Sequence, residues 1–590
     1  MSIKSKIINY RNNRGLYKYV NMRRHKRIKK NYVLLESMHG GAVTGQIYYL
    51  IPEIQDILRN SKVFVVSQNP EEDAQFLKKR GLTHFKIVKH MSLQYFELLA
   101  TAQYLINDTT FYPFFNKREG QQYFIIWHGT PLKKMGKDTA HIFDLANVQR
   151  NFYMADQVIV SNNYSKEIMA EAYNLNHVYN GDIVVGPMPR NSVFYEKQLR
   201  ESIRRDLDIE DKKVLCYMPT WRGQIGNVSD ARQLETMLLY LNQHLDEDTV
   251  LYVKLHHLVK RQLKMNYSNI KFVPDQYEIY EFLTATDGLI TDYSSVMFDY
   301  LNMDKPIILY LYDLAEYQRE RGLYQSPSEY PFTTAYTLSE LAESITNLDS
   351  EAHYTNIKDK MVPYDNREGA REIAELMING STSKNIKSHC LEDKKPIIAI
   401  HLDSNNVEEV LGKMQSLESA SAQFILYFDR ETISVEQFPQ LMNMPDNVTF
   451  YPTLGNMNGN FLDRLVMKKA RLKKVMKNKV RRLKHEEEGR LFGDLTIDCF
   501  VTYVTSENSS LLPVVNDRGK TAVWLSAHLS QVQSKAMMNK MDLSKIDYII
   551  TENQDLANHF SKTAQPQFMT ESEFLRQFKM KICGISDEII

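Results

Sequence analysis

Residues 122–130, QYFIIWHGT, set the pattern from which the fold can be predicted: five apolar positions run directly into a histidine and a glycine. A short apolar run that stops at glycine and proline is typical of a buried strand ending in a loop. In open α/β sheets, ligands bind beyond the carboxyl ends of the strands. We therefore expect His128 to lie at the mouth of a cleft.

The same pattern recurs on both sides of this stretch. Apolar runs such as NYVLLES, KVFVVS, HFKIVK, YLIND and QVIVSN alternate with helix-like segments, which indicates a parallel sheet covered by helices on both faces. GPMPRNS, residues 186–192, interrupts the alternation and is interpreted as a linker. A second series of strands then runs to about residue 380, and a third follows the polar segment GSTSKNIKSH.

The predicted fold is therefore α/β and GT-B-like, with two doubly wound, Rossmann-like domains facing a cleft and an appended C-terminal α/β domain. We expect a basic arm at residues 1–32, an N-terminal α/β domain at 33–190 and a second α/β domain at 191–380. The appended domain, residues 390–590, has no recognisable catalytic signature.

The amino-acid composition limits which classes of protein this chain can belong to. Hydrophobic residues make up 43% and charged residues 25%, which is ordinary for a globular chain. Four widely spaced cysteines suggest neither a disulfide framework nor a zinc site, and they fit a reducing compartment. No apolar run reaches the roughly 18 residues needed to cross a bilayer, and no signal-peptide pattern opens the chain. We expect a soluble or peripheral cytoplasmic protein.

The net charge of +1 conceals an asymmetry. Residues 1–32 contain eleven Lys/Arg and no acid, so the remainder holds 62 basic against 72 acidic residues. A basic arm on an acidic body favours a polyanionic partner, either nucleic acid or an anionic membrane surface.

A second basic segment lies within the appended domain. Residues 463–485, DRLVMKKARLKKVMKNKVRRLKH, contain eleven Lys/Arg, and their apolar residues recur at roughly helical spacing. Such a helix can lie in a membrane interface. The alternative is a solvated helix with an ordinary core stripe.

His128 has the chemistry of a general base, because imidazole titrates near neutrality and can take a proton from a hydroxyl nucleophile. Lys133 and Lys134 follow it and could hold an anionic acceptor. The alternative interpretation is a histidine packed in the core after a buried strand.

Three segments of the second domain offer groups for binding phosphate. The strand DGLIT leads into Asp292, Ser294 and Ser295 at a helix start, where backbone N–H groups and hydroxyls suit phosphate. Thr220 and Arg222, in MPTWRG, could add a hydroxyl and a bidentate guanidinium. His256 and His257 follow another strand and should point to opposite sides. A plain N-cap, surface charge or packed imidazole is the alternative for each.

The common metal and nucleotide motifs are absent from the sequence. There is no HExxH, EF-hand loop, DxD, GxGxxG or P-loop. We therefore expect no metal and no cofactor.

These segments together resemble one family. WHGTPLKKMGKD, MPTWRG, VKLHHLV and DGLITDYSSVMFDYLNMDKPIILY are similar, in order and content, to the motifs of the CDP-glycerol glycerophosphotransferases, the teichoic-acid primases and polymerases. LLESMHGGAVTGQIYYL resembles the family's first strand and glycine loop. GPMPRNS resembles its interdomain element, with Ser192 where an acid is usual. The resemblance covers residues 33 to about 380 and none of 390–590.

The resemblance implies transfer of an alditol phosphate, most simply glycerol phosphate, from a CDP-alditol to a hydroxyl of a lipid-linked acceptor, with release of CMP. It implies an acceptor-side domain at 33–190 and a CDP-alditol-binding domain at 191–380. It implies His128 as the base on the acceptor and His256 at the donor phosphates. Asp292, Ser294 and Ser295, with Thr220 and Arg222, match the donor-binding segments.

The implied partners are CDP-glycerol or CDP-ribitol, a polyprenyl-diphosphate-linked saccharide or polyol-phosphate chain, and an anionic membrane surface. The implied location is the inner face of the cell membrane, and a homo-oligomer is compatible with this. We expect no nucleic acid partner.

Other functions stay open on the sequence alone. The same architecture serves nucleotide-sugar glycosyltransferases, and the chain could be an inactive scaffold. Tyr10, Tyr17 and Tyr19 could stack on bases if the arm bound nucleic acid.

Overall fold

The computed structural model describes most of the chain, and structural statements below concern that part. It comprises residues 13–139, 143, 145–220, 228–255, 267–349, 352–393, 395–417, 422–455, 457–460, 462–463, 466, 477–505, 519–530, 532–534, 538, 543, 546–552 and 566–582.

The first unit is a parallel sheet with helices on both faces. Its strands are β1 (Lys29–Glu36), β2 (Lys62–Ser67), β3 (Phe85–Lys89), β4 (Ala102–Asn107), β5 (Gln122–Ile126), β6 (Gln157–Val160) and β7 (Asp182–Val185). Its helices are α1 (Arg14–His25), α2 (Gly45–Ile57), α3 (Pro70–Lys79), α4 (Leu93–Thr101), α5 (Leu145–Phe152) and α6 (Asn163–Ala172). Both faces of the central strands are buried, which explains their continuous apolar sequence.

The second unit repeats this plan. Its strands are β8 (Lys213–Met218), β9 (Thr249–Val253), β10 (Ile270–Phe272), β11 (Gly288–Thr291), β12 (Ile307–Tyr310) and β13 (Thr333–Ala335). Its helices are α7 (Lys197–Asp206), α8 (Val228–His244), α9 (Ile279–Thr284), α10 (Val296–Asp299), α11 (Leu314–Arg321), α12 (Leu338–Thr346), α13 (Thr355–Met361) and α14 (Gly369–Asn379).

The end of the predicted second domain returns to the first. Helix α14 packs on α2, where Ile373 and Met377 share a core with Ile51. Strand β14 (Lys387–Cys390) then pairs antiparallel with β7. The first sheet has the order β14-β7-β6-β5-β4-β1-β2-β3, and the second has β10-β9-β8-β11-β12-β13. The domain boundary predicted at residue 380 therefore differs from the boundary in the structure, because α14 buries its apolar face against the first unit.

The third unit has the same strand order again, β17-β16-β15-β18-β19-β20-β21. Its strands are β15 (Ile397–Leu402), β16 (Gln423–Phe428), β17 (Val448–Pro452), β18 (Cys499–Val504), β19 (Lys520–Leu525), β20 (Tyr548–Ile550) and β21 (Gln567–Met569). Its helices are α15 (Val407–Gln415), α16 (Phe438–Met442), α17 (Lys477–Phe492) and α18 (Glu571–Ile582).

The first and third units share one hydrophobic core. Buried Arg490 of α17 donates to the main-chain oxygen of Pro113 at 2.9 Å, and buried Arg150 of α5 donates to that of Arg490 at 3.2 Å. Gln149 donates to the oxygen of Phe450 at 3.0 Å. Buried donors satisfied across the boundary join the two units closely.

Part of the basic arm is built into the body. Tyr19 and Val20 of α1 are buried, and Arg24 forms ion pairs with Asp463 at 2.6 Å and Glu486 at 2.5 Å. The remaining residues of the arm, 1–12, lie outside the described part of the chain. No helix that the structure describes combines the length and apolarity needed to cross a membrane.

The basic segment 463–485 is described only at its two ends. Leu483, one of the predicted stripe residues, is fully buried in the protein, and the buried Asp463 carboxylate pairs with Lys479 at 3.2 Å. Leu483 therefore belongs to the core, as in the alternative interpretation. Leu465, Leu472 and Met476 lie outside the described residues.

Gly493 provides a test of how the third unit docks. It has a φ of +58°, and a Cβ built there would lie 2.4 Å from the main-chain oxygen of Tyr153. We expect Gly493→Ala to lower the stability of the docked arrangement by roughly 1–3 kcal/mol, from backbone strain and overpacking together. Differential scanning calorimetry measures the effect.

Gly412→Ala is the matched control. Gly412 lies inside α15 with open space at its Cβ position, so alanine should raise stability by up to about 1 kcal/mol. Equal shifts in the two variants would contradict the docking at Tyr153.

Candidate active site

The cleft is formed at the carboxyl ends of the strands in the first and second sheets. Each sheet reverses strand order at one point, between β1 and β4 in the first and between β8 and β11 in the second. Such a reversal opens a crevice that commonly binds ligands. His128 follows β5, next to β4, while the DYSS segment follows β11.

The His128 ring has a defined tautomer. Its Nδ1 lies 3.0 Å from the main-chain oxygen of Asp108, and its ring centroid lies 4.4 Å from that of Trp127. Because a carbonyl oxygen only accepts hydrogen bonds, Nδ1 carries the proton in the neutral ring. Nε2 therefore presents a lone pair, as a general base requires.

The ring is accessible to solvent yet lies deep among protein atoms. This desolvation lowers the pKa of His128 below its ordinary 6.5, and the charges of Arg190, His39 and Lys133 lower it further. The Asp108 carbonyl opposes the shift. The imidazole is consequently neutral at pH 7 and ready to accept a proton.

The loop that carries His128 touches the tip of the helix after β11. A Cβ built on Gly129, whose φ is +153°, would lie 2.3 Å from Oγ of Ser295. Only glycine lets the two segments approach this closely. The structure thus brings the HGTP loop of the first unit against the DYSS segment of the second.

Ser295 does not act as the plain N-cap that the alternative interpretation suggested. Ser295 precedes α10, but its side chain makes no capping hydrogen bond. Both serines are half-buried, and neither hydroxyl has a hydrogen-bond partner among the described residues. The hydroxyls of Ser294 and Ser295 are therefore available to a ligand.

Asp292 positions a neighbouring loop. Its carboxylate accepts hydrogen bonds from the backbone N–H of Thr220, at 2.9 and 3.0 Å, and from that of Tyr293 at 2.6 Å. This contact fixes the start of the PTWR segment beside the serines. A buried carboxylate used in this way organises the site.

A buried arginine links the units behind His128. Arg190, from GPMPRNS, donates to the main-chain oxygen of His128 at 2.9 Å and to Asp299 at 2.6 Å. Its guanidinium lies 4.8 Å from the ring centroid of Tyr280. Removing one partner of such a buried pair costs about 3–5 kcal/mol, because a charge is left uncompensated.

A glutamate of the second unit meets the start of α2. Glu278 accepts hydrogen bonds from Thr44 Oγ1 at 2.5 Å, from the N–H of Gly45 at 3.1 Å and from Tyr49 at 2.9 Å. A carboxylate is favourable at a helix N-terminus. This contact is a second clamp across the cleft.

The backbone at Lys133 and Lys134 pairs with the backbone of the second unit. Lys133 forms an isolated antiparallel bridge with Leu323, and its Nζ lies 5.6 Å from the ring centroid of Tyr317. The N–H of Lys134 donates to the oxygen of Gly322 at 3.2 Å. The loop therefore crosses the cleft and places Lys133 against the second unit. The expected binding of an acceptor by Lys133 and Lys134 stays a prediction.

Two acids are buried behind the histidine. Glu36 ends β1 fully buried, and burial raises its pKa to about 8. Asp108 follows β4 and accepts from Ser37 Oγ at 2.7 Å and from the N–H of Met38 at 2.8 Å. Burial raises the pKa of Asp108 to about 6.

The sequence model of the CDP-glycerol:poly(glycerophosphate) glycerophosphotransferase family matches residues 18–379. The chain belongs to this family. The matched range covers the first two units, including every contact across the cleft described above.

Individual relatives agree with the family. A teichoic acid glycerol-phosphate transferase of Staphylococcus aureus is 28% identical over 349 residues, covering 55% of this chain and 85% of that protein. A teichoic acid poly(glycerol phosphate) polymerase of Staphylococcus epidermidis is 27% identical over 374 residues, covering 59% of this chain. The chain spans about half of that polymerase, 51% of its length.

A solved structure confirms the GT-B-like α/β fold. A histidine-to-asparagine variant of the wall teichoic acid polymerase TagF, soaked with CDPG, superposes with a TM-score of 0.56 at 26% identity. The match covers 64% of this chain and 95% of that one.

The predicted site residues of this glycerophosphotransferase-family chain divide into two groups. His128, Ser294, Ser295, Thr220 and Asp292 lie at one cleft. Arg222, His256 and His257 lie outside the described residues. Strands β8 and β9, which precede those two segments, are neighbours of each other, and β8 also pairs with β11.

Sequence analysis missed Arg190, Asp299, Glu278 and Glu36. GPMPRNS was interpreted as a linker, yet its arginine is buried. Ser192, at the departure from the family pattern, donates to the oxygen of Pro189 at 2.7 Å and so turns back onto its own segment. An acid ending a buried strand, as in LLES, was the available signal for Glu36.

The raised pKa of Glu36 predicts a pH-dependent stability. Because folding favours the protonated carboxyl, its stabilising contribution is complete below about pH 4.5 and is lost as pH rises through about 8. Tyr95, Asp108 and His39 face the same carboxyl. Raising the pH from 5 to 8.5 should destabilise the wild type more than Glu36→Gln, by on the order of a few kcal/mol.

Thermal unfolding midpoints at the two pH values measure this difference. Glu72→Gln, on the exposed surface of α3, is the control and should track the wild type. Parallel pH curves for wild type and Glu36→Gln would show that the carboxyl does not bind a proton on folding.

Proposed function

We propose that this protein transfers an alditol phosphate, glycerol phosphate in the first instance, from CDP-glycerol to an acceptor hydroxyl and releases CMP. The acceptor is a polyprenyl-linked saccharide or a growing polyol-phosphate chain. The observation that carries the proposal is the approach of the His128 loop to Ser295, which sets a base beside unpartnered hydroxyls.

The chemistry follows from the tautomer of His128. Nε2 of His128 takes the proton of the acceptor hydroxyl, and the oxygen of that hydroxyl attacks the phosphorus that bears the glycerol. A new P–O bond forms, the bond to the CMP oxygen breaks, and CMP leaves with the electron pair. The Asp108 carbonyl and the Arg190 contact hold the ring's loop in place during this step.

The second unit supplies groups for the donor diphosphate. Ser294 and Ser295 offer hydroxyls, and Thr220 stands beside them through Asp292. We assign Arg222 and His256 to the same diphosphate because their segments follow strands adjacent to β11. Lys133 adds positive charge from the loop that crosses the cleft. Fixed donors of this kind stabilise charge that develops on phosphate oxygens.

The relatives support this donor and acceptor class. One is named a glycerol-phosphate transferase, another a poly(glycerol phosphate) polymerase, and the TagF structure was determined with CDPG. Peripheral binding at the inner face of the membrane, through the basic arm, belongs to the same proposal.

Donor choice tests the proposal directly. Purified protein is incubated with a lipid-linked disaccharide and, in separate reactions, with CDP-glycerol, CDP-ribitol, UDP-sugars or GDP-sugars. We expect CMP release with CDP-glycerol. Release with CDP-ribitol alone would assign the ribitol reaction, and turnover with sugar nucleotides alone would instead indicate a glycosyltransferase.

His128→Ala should reduce transfer by at least a hundredfold, because a general base contributes about 10²–10⁴ in rate. The fold and the Kd for CDP-glycerol should stay close to wild type. In the wild type, the acidic limb of kcat/KM should fall below pH 6.5, following the lowered pKa of the base.

His84→Ala is the matched control, since His84 is exposed before β3, at the opposite end of the sheet from the cleft. It should leave turnover unchanged. Near-normal turnover in His128→Ala would remove His128 from the reaction.

A further inference from the structure

A cluster of polar side chains lies at the strand reversal of the first sheet, next to His128. Glu36 ends β1, Asp108 follows β4, and His39 lies in the loop after β1. His39 Nδ1 is 3.9 Å from Glu36 Oε1, and the His39 ring centroid is 5.6 Å from that of Tyr112. His90, after β3, lies at the same 5.6 Å from Tyr112 on another side.

Several buried polar atoms of this cluster have no hydrogen-bond partner within normal geometry among the described residues. They are both carboxyl oxygens of Glu36, Nδ1 of His39 and Nε2 of His90, and the Tyr95 hydroxyl faces the Glu36 carboxyl as its nearest donor. Buried polar groups in folded proteins are nearly always satisfied, and unsatisfied ones concentrate at functional sites. The Glu36 side chain is fully buried, whereas 44% of the His39 side chain is exposed and faces the cleft in front of it.

The loop that carries His39 is strained. Met38 and His39 both have positive φ, at 46° and 53°, which is uncommon for residues other than glycine. Asp108 holds the N–H of Met38, and Gly40 packs against Val66 and His90. Backbone strain kept in place by surrounding contacts is characteristic of functional sites.

We infer that His39, with the carboxyl of Glu36 behind it, binds a free hydroxyl of the acceptor's terminal polyol, next to the hydroxyl that His128 deprotonates. This inference rests on the proposed function and adds an acceptor subsite to it.

The rings of His39 and His128 present opposite hydrogen-bonding groups to the cleft, since one donates and the other accepts. With a pKa of about 8, Glu36 carries a proton at neutral pH, and burial lowers the pKa of His39, so that ring is neutral. A shift of about 1 Å brings the Glu36 proton into hydrogen-bonding range of His39 Nδ1. His39 Nε2 then carries the hydrogen and donates to the substrate, whereas His128 Nε2 accepts.

The charges of the described residues nearest His39 favour a neutral ligand. Glu36 is protonated, Asp108 is acidic and the His39 ring is neutral, while Arg190, whose charge acts on His128, is already paired with Asp299. Uncharged hydroxyls can use the available donors and acceptors without leaving a phosphate charge unbalanced. The phosphates of the donor are left to the second unit, which Lys133 contacts from the loop after β5.

The test pairs a residue variant with an acceptor analogue. Asparagine tolerates positive φ, so His39→Asn keeps the loop conformation while shortening the side chain. The acceptor is a short glycerol phosphate oligomer, and its analogue ends in 1,3-propanediol phosphate, which lacks the neighbouring hydroxyl. We expect His39→Asn to raise the acceptor KM at least tenfold, with the Kd for CDP-glycerol within twofold of wild type.

The wild type should lose a similar factor with the deoxy acceptor, and His39→Asn should show no further loss, because both changes remove one hydrogen bond. His84→Ala should behave as wild type with both acceptors. The inference is overturned if the acceptor KM of His39→Asn stays within twofold of wild type, or if the wild type does not distinguish the two acceptors.

Failure of the proposed function has a different signature. The wild type would then release no CMP from CDP-glycerol or CDP-ribitol with any acceptor, whatever residue stands at position 39.

Discussion

The cleft depends on one buried guanidinium. Arg190 reaches from the connection between the units to the main-chain oxygen behind His128 and to Asp299 of the second unit. Asp299 also accepts from Tyr280 at 3.0 Å and from Asn191 at 3.0 Å, so its carboxylate is held by three hydrogen bonds. This network sets the relative position of His128 and the DYSS segment, since each charged partner is costly to leave buried alone.

In the proposed reaction, the two units on either side of this network have different roles. The first unit holds His128, whose tautomer the Asp108 carbonyl fixes before any substrate arrives, and His39, which lies 3.9 Å from the buried Glu36 carboxyl. The second unit holds hydroxyls at a helix tip, with Asp292 keeping the next loop alongside. Groups held in place before substrate binds need little reorganisation when charge moves, and this is a main source of rate enhancement in such sites.

Much of the architecture could be predicted from local sequence, because continuously apolar strands ending in polar loops are characteristic of parallel sheets. His128 and the DYSS segment were found for the same reason, as polar residues directly after strands. Arg190 could not be found this way, because its partner Asp299 lies 109 residues away in the chain. The expected acceptor role of Lys133 stays a prediction, and the sequence does not show that its loop crosses to Leu323.

The core shared by the first and third units also limits how the enzyme can be rebuilt. Arg150 and Arg490 satisfy main-chain oxygens across the boundary between these units, so separating the units would remove one acceptor from each guanidinium. If the C-terminal parts of homologous chains were exchanged, the contacting residues on both sides of this boundary would have to be exchanged together. The third unit therefore supports the first unit, and any hinge motion of the first unit must move both units together as one rigid body.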